Sequence, residues 1–265
     1  MAGSSVTVTA VLFDLDDTLF DHWACTRTAL ADVRQQFPAL GGVPAGAVEA
    51  EHRRLLEDLH LRVLAGRVTV DDARVERFRQ LLVFAGGTAS AGDAAAAAAT
   101  YRSAYLAHWR PVEGALDLLE DLHGRLSTGV VTNNVAAEQR QKIAACGFGP
   151  LLDVVVISEE AGATKPDPRI FRLALDQLGC EAGEAVMIGD AWDTDIAGSR
   201  AVGIRPIWFN RFGGVSPDRT VQEISALVPV AVVLSALFAN PESRAPNPGS
   251  RVPSPEPRVP HPESL

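Results

Sequence analysis

Five short apolar runs limit this chain to a narrow set of folds. Val8–Phe13, Gly129–Thr132, Val154–Ser158, Ala185–Gly189 and Pro206–Phe209 each hold four to six residues. That length is short for a helix and right for a strand covered on both faces. Helical segments separate the last four runs: Ala136–Cys146, Pro168–Leu178 and Ala191–Ala201. Another follows near Pro229–Ala239, with Val230, Val233, Leu234 and Leu237 on one face. Strands alternating with helices predict a doubly wound α/β core around a parallel sheet.

The alternation breaks once. After the first run come roughly 90 residues with helical signals only. His22–Phe37 is one expected helix. Val48, His52, Leu55, Leu56, Leu59 and Val63 recur at three- and four-residue steps and mark a second. Thr69 ahead of Asp71 and Asp72 reads as the N-cap of a third, running to about Phe84 and ended by Gly86-Gly87. The alanine run Ala94–Ala99 continues into Tyr101, Tyr105 and Trp109 on one face, a fourth. The expected layout is therefore one core, residues 5–19 and 111–240, interrupted by a helical insertion over 20–110. Pro111-Val112-Glu113-Gly114, where the chain returns, reads as a hinge.

The last 25 residues, 241–265, hold 8 of the 17 prolines and are expected to be a disordered tail. Over the whole chain an apolar share of 47% supports a sizeable core. A net charge of −9 argues against a nucleic-acid surface, which needs a basic face. Cys25, Cys146 and Cys180 lie far apart with no CxxC pair, which excludes a disulfide scaffold and fits a reducing compartment. Met1–Thr9 has no Lys or Arg, and no apolar run reaches the ~18 residues of a membrane span. A cytoplasmic protein without membrane or nucleic-acid partners, a monomer or homodimer, is the expectation.

Ligands of open parallel sheets bind beyond the carboxyl ends of the strands. The residues following each run therefore matter most. After the first stand Asp14-Leu15-Asp16-Asp17-Thr18, and after the second Thr132-Asn133-Asn134. Past the third lie Thr164-Lys165-Pro166, and after the fourth Gly189-Asp190, then Asp193 and Asp195. Four strand ends deliver carboxylates, a hydroxyl and a lysine to one edge. Carboxylates so gathered repel one another unless a cation joins them, and a hard divalent ion such as Mg²⁺ suits oxygen ligands.

These motifs resemble those of the haloacid dehalogenase (HAD) superfamily. They are Asp14-Leu15-Asp16-Asp17-Thr18-Leu19, Thr132, Lys165 in Lys-Pro-Asp-Pro, and Gly189-Asp190 with Asp195, in the family's order over about 180 residues. The resemblance implies a Rossmann-like core with a helical cap inserted after the first motif. It implies a phosphatase acting on a small phosphorylated metabolite, a nucleotide or sugar phosphate. Asp14 would attack phosphorus and form an aspartyl-phosphate. Asp16 would protonate the leaving oxygen and then deprotonate water. Mg²⁺ would be held by Asp14, Asp190 and the Asp16 carbonyl. Lys165, the Thr132 hydroxyl and the Asn133 amide would hold the phosphoryl oxygens, and Asp195 would orient Lys165 or a metal-bound water.

Other readings remain beside this one. Asn134 stands where similar proteins often have glycine, which puts the fine shape of the phosphate loop in question. Trp23 could stack on a substrate ring and Arg27 could pair with an anion; packing of a cap–core seam and a solvated helix face are the plainer alternatives. Trp192 could shape the cleft or cover the core. A phosphomutase, a 2-haloacid dehalogenase and a non-catalytic binding protein on the same fold are the alternative functions. The dehalogenase reading conflicts with Asp16 and Asp190, since displacement at carbon needs neither a leaving-group acid nor Mg²⁺.

Overall fold

The computed structural model describes residues 7–239. The proline-rich stretch 241–265 lies outside the described residues, as do positions 5, 6 and 240 of the expected core. Six strands form one sheet in the order β3-β2-β1-β4-β5-β6. They are β1 Ala10–Phe13, β2 Ser127–Thr132, β3 Val154–Ile157, β4 Ala185–Gly189, β5 Arg205–Phe209 and β6 Gln222–Ile224. Every pairing is parallel. The helices are α1 His22–Gln36, α2 Pro38–Gly41, α3 Ala45–Leu64, α4 Val70–Phe84, α5 Ala91–Ala107 and α6 Ala115–Leu122. They continue with α7 Ala136–Ala145, α8 Ser158–Ala161, α9 Pro168–Leu178, α10 Ala197–Ala201 and α11 Val230–Phe238.

The sheet is apolar on both faces because its side chains alternate between two cores. Val11, Phe13, Val130, Val186 and Ile188 join the core that continues into the helical insertion. Ala10, Leu12, Val131, Val156 and Met187 pack on the opposite face against Ile170, Phe171 and Ala174 of α9. Thus β1 is buried along its whole length, as its uninterrupted apolar run predicts.

Helices α1 to α5 fill the interruption between β1 and β2. The outgoing and returning chains pair with each other: Val112 N donates to Leu19 O at 2.7 Å and Asp21 N to Arg110 O at 3.1 Å. Thr69 and Ser90 cap α4 and α5, each accepting a backbone hydrogen bond three residues on, from Asp72 and Asp93. The aromatic face read from the sequence packs as a cluster, with Tyr101 stacked on Tyr105 and Phe20 edge-on to Trp109.

Three features depart from the sequence reading. The strand β6 has only three residues, and polar Gln222 and Glu223 give it no apolar signal. Helix α6 directly follows the expected hinge, its N-cap Gly114 at φ 82°. The expected helix Ala191–Ala201 is divided into a π-helical turn, Trp192–Ile196, and α10. Such a wide turn frequently marks a functional position, and here it carries Asp195.

Candidate active site

The strand order reverses between β1 and β4, and the polar motifs gather at that edge. Asp14 follows the last residue of β1, and its amide donates to Ile188 O of β4 at 2.9 Å. The loop behind it closes on itself. Thr18, Leu19 and Phe20 all donate to the Leu15 carbonyl, and Asp17 N donates to Phe20 O. Asp17 takes φ 63°, the left-handed region that aspartate tolerates better than most residues. Its side chain then caps α1, accepting from Trp23 N at 2.8 Å. The Asp16 carbonyl takes no part in these loop-closing bonds and remains available as an oxygen ligand.

Lys165 is the hub of the site. Its ammonium, 2 % exposed, lies 2.5 Å from Asp14 Oδ1 and 2.8 Å from Asp195 Oδ1. Burial opposes its charge, but the two carboxylates outweigh that and hold it above the ordinary lysine range. Asp195 is further fixed by Ala191 N and the Thr194 hydroxyl. A side chain at Gly189 would fall on the Asp195 carboxylate, so the strand end must be glycine.

Ligand oxygens of Asp14, Asp190 and Asp195 lie within 4.8 Å of one another. Burial pushes the Asp14 carboxyl up to about 7, with Lys165 opposing and Asp195 adding to it. Burial again, then the charges of Asp14, Asp195 and Asp17, pushes Asp190 up to about 9. One lysine does not neutralise this cluster. Both Asp195 oxygens are taken, Oδ1 by Lys165 and Thr194 and Oδ2 by Ala191 N, whereas Asp14 Oδ2, the Asp190 carboxylate and the Asp16 carbonyl present oxygens. That donor set fits a hard divalent cation.

Asp16 is held differently. Lys142 Nζ donates to its Oδ1 at 2.7 Å and Gln139 Nε2 to its Oδ2 at 2.9 Å. Burial opposes ionisation, but Lys142 outweighs it and draws the Asp16 carboxyl down to about 2. Gln139 Nε2 also donates to the Thr132 hydroxyl at 2.7 Å, which leaves that hydroxyl's own proton free for a ligand. Asn133 does not point its side-chain amide at the cluster; it bonds the main chain of Lys165 on both sides.

A cavity of about 270 Å³ adjoins this edge. The core supplies Asp16, Asn133, Asn134 and Glu138; the insertion supplies His22, Leu59, His60, Arg74, Arg77 and Tyr105, among others. Trp23 and Arg27 are not part of this lining. The Trp23 ring lies 4.1 Å beneath the Arg53 guanidinium, and Arg27 is exposed and pairs with Glu49 at 3.3 Å. Both contacts lie within the insertion, whereas His22, one position before Trp23, lines the cavity. Trp192 packs edge-on against Trp208, whose indole donates to the Asp190 carbonyl at 2.8 Å.

Sequence reasoning does not single out Glu138, Gln139 and Lys142. The folded helix does. Gln139, Lys142, Ile143 and Cys146 form one buried stripe at helical spacing, and two polar members on a buried stripe need partners.

Comparison with known proteins gives consistent results. The family model of the haloacid dehalogenase-like hydrolases matches residues 8–203. The ribulose-1,5-bisphosphate 5-phosphatase of Halopiger xanaduensis is 33% identical over 208 residues, covering 76% of this chain and 84% of that one. The phosphoserine phosphatase of Thermus thermophilus is 32% identical over 227 residues, covering 78% and 90%. Among solved structures, the magnesium-bound HAD-hydrolase YfnB from Bacillus subtilis superposes with a TM-score of 0.67 at 25% identity, covering 86% of this chain and 99% of that one. Among the described residues, no helix is long and apolar enough to cross a membrane.

Proposed function

This chain belongs to the haloacid dehalogenase-like hydrolases, as an enzyme acting on phosphate monoesters, and we propose that it is a Mg²⁺-dependent phosphatase of a small metabolite working through an aspartyl-phosphate on Asp14. The observation that carries this reading is the Asp14–Lys165 contact of 2.5 Å beside Asp190, with Asp16 lining an adjoining cavity of about 270 Å³. That volume suits a small metabolite better than a protein substrate. The core over 5–19 and 111–240 and the cap over 20–110 belong to the same reading. So do a cytoplasmic location, which three cysteines without a disulfide support, and a monomeric or homodimeric state.

Asp14, Asp190 and the Asp16 carbonyl would hold the cation, which supplies positive charge against the phosphoryl group when bound. The chain's own residues do the rest. Lys165 orients the Asp14 carboxylate and offsets charge on the phosphoryl oxygens. The Thr132 hydroxyl, its lone pair occupied by Gln139, donates to one of them. Asp14 attacks phosphorus as the bond to the leaving oxygen breaks, and that oxygen takes a proton from Asp16. Water then attacks the aspartyl-phosphate, gives its proton to Asp16, and frees Asp14 and phosphate. In the free chain Asp16 is an anion beside Lys142; it takes up a proton from solvent as substrate binds, because the incoming phosphate dianion disfavours its ionisation, and the proton given by water restores that protonated form at the end of the cycle.

The test is phosphate release from p-nitrophenyl phosphate with Mg²⁺, with EDTA, and by Asp14→Asn. Release that requires Mg²⁺ and falls at least ~10³-fold in the variant supports the reading. Release undiminished in purified Asp14→Asn overturns the nucleophile. Silence toward both this ester and a panel of nucleotides and sugar phosphates overturns the activity, and favours a mutase or binding protein.

A further inference from the structure

The cap wall of the cavity carries an arginine without an anion. Arg77 on α4 lines the cavity and is 6% exposed. Its Nε is buried without a hydrogen-bond partner, and among the described residues no carboxylate pairs with its guanidinium. Its neighbours are ring faces, Tyr101 at 5.3 Å and Phe78 at 5.6 Å from Cζ. The contrast with the other lining arginines is direct: Arg74 and Arg102 share Glu138 at 2.6 and 3.3 Å. Asp16 and Glu138 are both already paired with Lys142, at 2.7 and 3.5 Å; neither contacts Arg77, and Glu138 acts on it only through charge at longer range. The remaining lining carboxylate, Glu57, is exposed at the rim.

An arginine cannot shed its proton, and burying its charge unpaired is costly. Aromatic faces recover only part of that cost. A planar fork with open donors fits the two oxygens of a carboxylate or phosphate. The phosphoryl group to be cleaved belongs at Asp14 and Thr132, beyond the cap wall. Resting on the phosphatase reading above, we propose that Arg77 binds a second anionic group, carboxylate or phosphate, of the same substrate. The enzyme would then select phosphate esters bearing two anions over those bearing one.

The experiment compares kcat/KM within matched pairs. O-Phosphoserine and O-phosphoethanolamine differ only by a carboxylate; ribulose 1,5-bisphosphate and ribulose 5-phosphate differ by a phosphate. The wild type should favour the doubly anionic member of at least one pair by about 10- to 100-fold, and the favoured pair identifies the group. In Arg77→Met that ratio should fall to about one, chiefly through KM; Arg77→Lys should restore part of it. A wild-type ratio near one in both pairs overturns the inference even if Arg77→Met does not fold, as does a ratio that survives in Arg77→Met. Failure of the phosphatase reading looks different: no ester, p-nitrophenyl phosphate included, releases phosphate.

Discussion

Asn133 and Lys165 hold each other through two opposed hydrogen bonds. The Lys165 amide donates to Asn133 Oδ1 at 2.7 Å, and Asn133 Nδ2 donates to the Lys165 carbonyl at 3.0 Å. The two residues follow different strands, β2 and β3, and no backbone ladder joins them past Thr132 and Ile157. The asparagine therefore sets where the lysine's main chain sits, and with it the ammonium against Asp14.

Asn133→Ala should loosen Lys165 without removing it. Two partly buried hydrogen bonds are worth about 1 kcal/mol each, so unfolding free energy should drop by about 1–3 kcal/mol. A lysine misplaced by even ~1 Å should lower kcat by about 10- to 100-fold. Steady-state kinetics and urea melts check both. Asn133→Asp keeps the acceptor for the Lys165 amide and should recover part of the loss. A kcat equal to wild type in Asn133→Ala would remove the clamp's role.

Gly189→Ala tests the packing of Asp195 against the strand end. The added methyl would collide with a carboxylate pinned by Lys165 and the Ala191 amide. Overpacking a rigid site costs about 1–3 kcal/mol. We expect a lower melting temperature and a catalytic loss that Mg²⁺ does not restore. An unchanged melting curve would mean the turn over 192–196 can move aside freely.

The acidic cluster should make stability depend on pH and on cation together. Asp14 and Asp190 are pushed up to about 7 and about 9, above the ordinary 3.8. A carboxyl raised on folding binds its proton more tightly in the folded chain. Stability from this source is therefore lost as pH rises from about 4 toward 9. In EDTA the melting temperature should fall across pH 5–9, and less steeply in Asp190→Asn. Millimolar Mg²⁺ should reverse the fall by binding the folded state. Identical pH profiles for wild type and Asp190→Asn in EDTA would refute the assignment.

Much of this site is visible in the sequence because strand ends carry it. A four- to six-residue apolar run that stops at Asp14, Thr132 or Gly189 announces both a strand and the residue beyond its carboxyl end. What stays hidden depends on helix faces. Lys142 looks like a surface lysine until α7 turns it, 1 % exposed, onto Asp16. Arg77 looks like one of several arginines on an amphipathic helix, and only its burial without an anion distinguishes it from Arg74 and Arg79, which pair with Glu138 and Glu76. The choice of His22 over Trp23 as a lining residue is a matter of 100° of helical rotation, set by the Asp17 cap rather than by composition. The short strand β6 lacks an apolar run altogether, and its place beside β5 comes from the completed sheet.

Lys142 offers a prediction in which sign matters. Asp16 sits at about 2, below the ordinary 3.8, because Lys142 outweighs burial. A carboxyl lowered on folding adds stability above its unfolded value, and that stability is lost as pH falls through its folded value. Wild type should therefore lose about 2 kcal/mol of stability between pH 4 and 2 from this pair. Lys142→Met removes the cation and keeps the volume, leaving Asp16 with Gln139 alone. The variant should be less stable than wild type at pH 6 and nearly equal to it near pH 2. The double variant Lys142→Met/Asp16→Asn should regain stability, since removing both charges is far milder than stranding one. It should not regain turnover, because Asn cannot carry the proton. Denaturant melts at pH 2, 4 and 6 check the first part and phosphate release the second. A stability gap independent of pH would show that Lys142 acts by packing and not through Asp16.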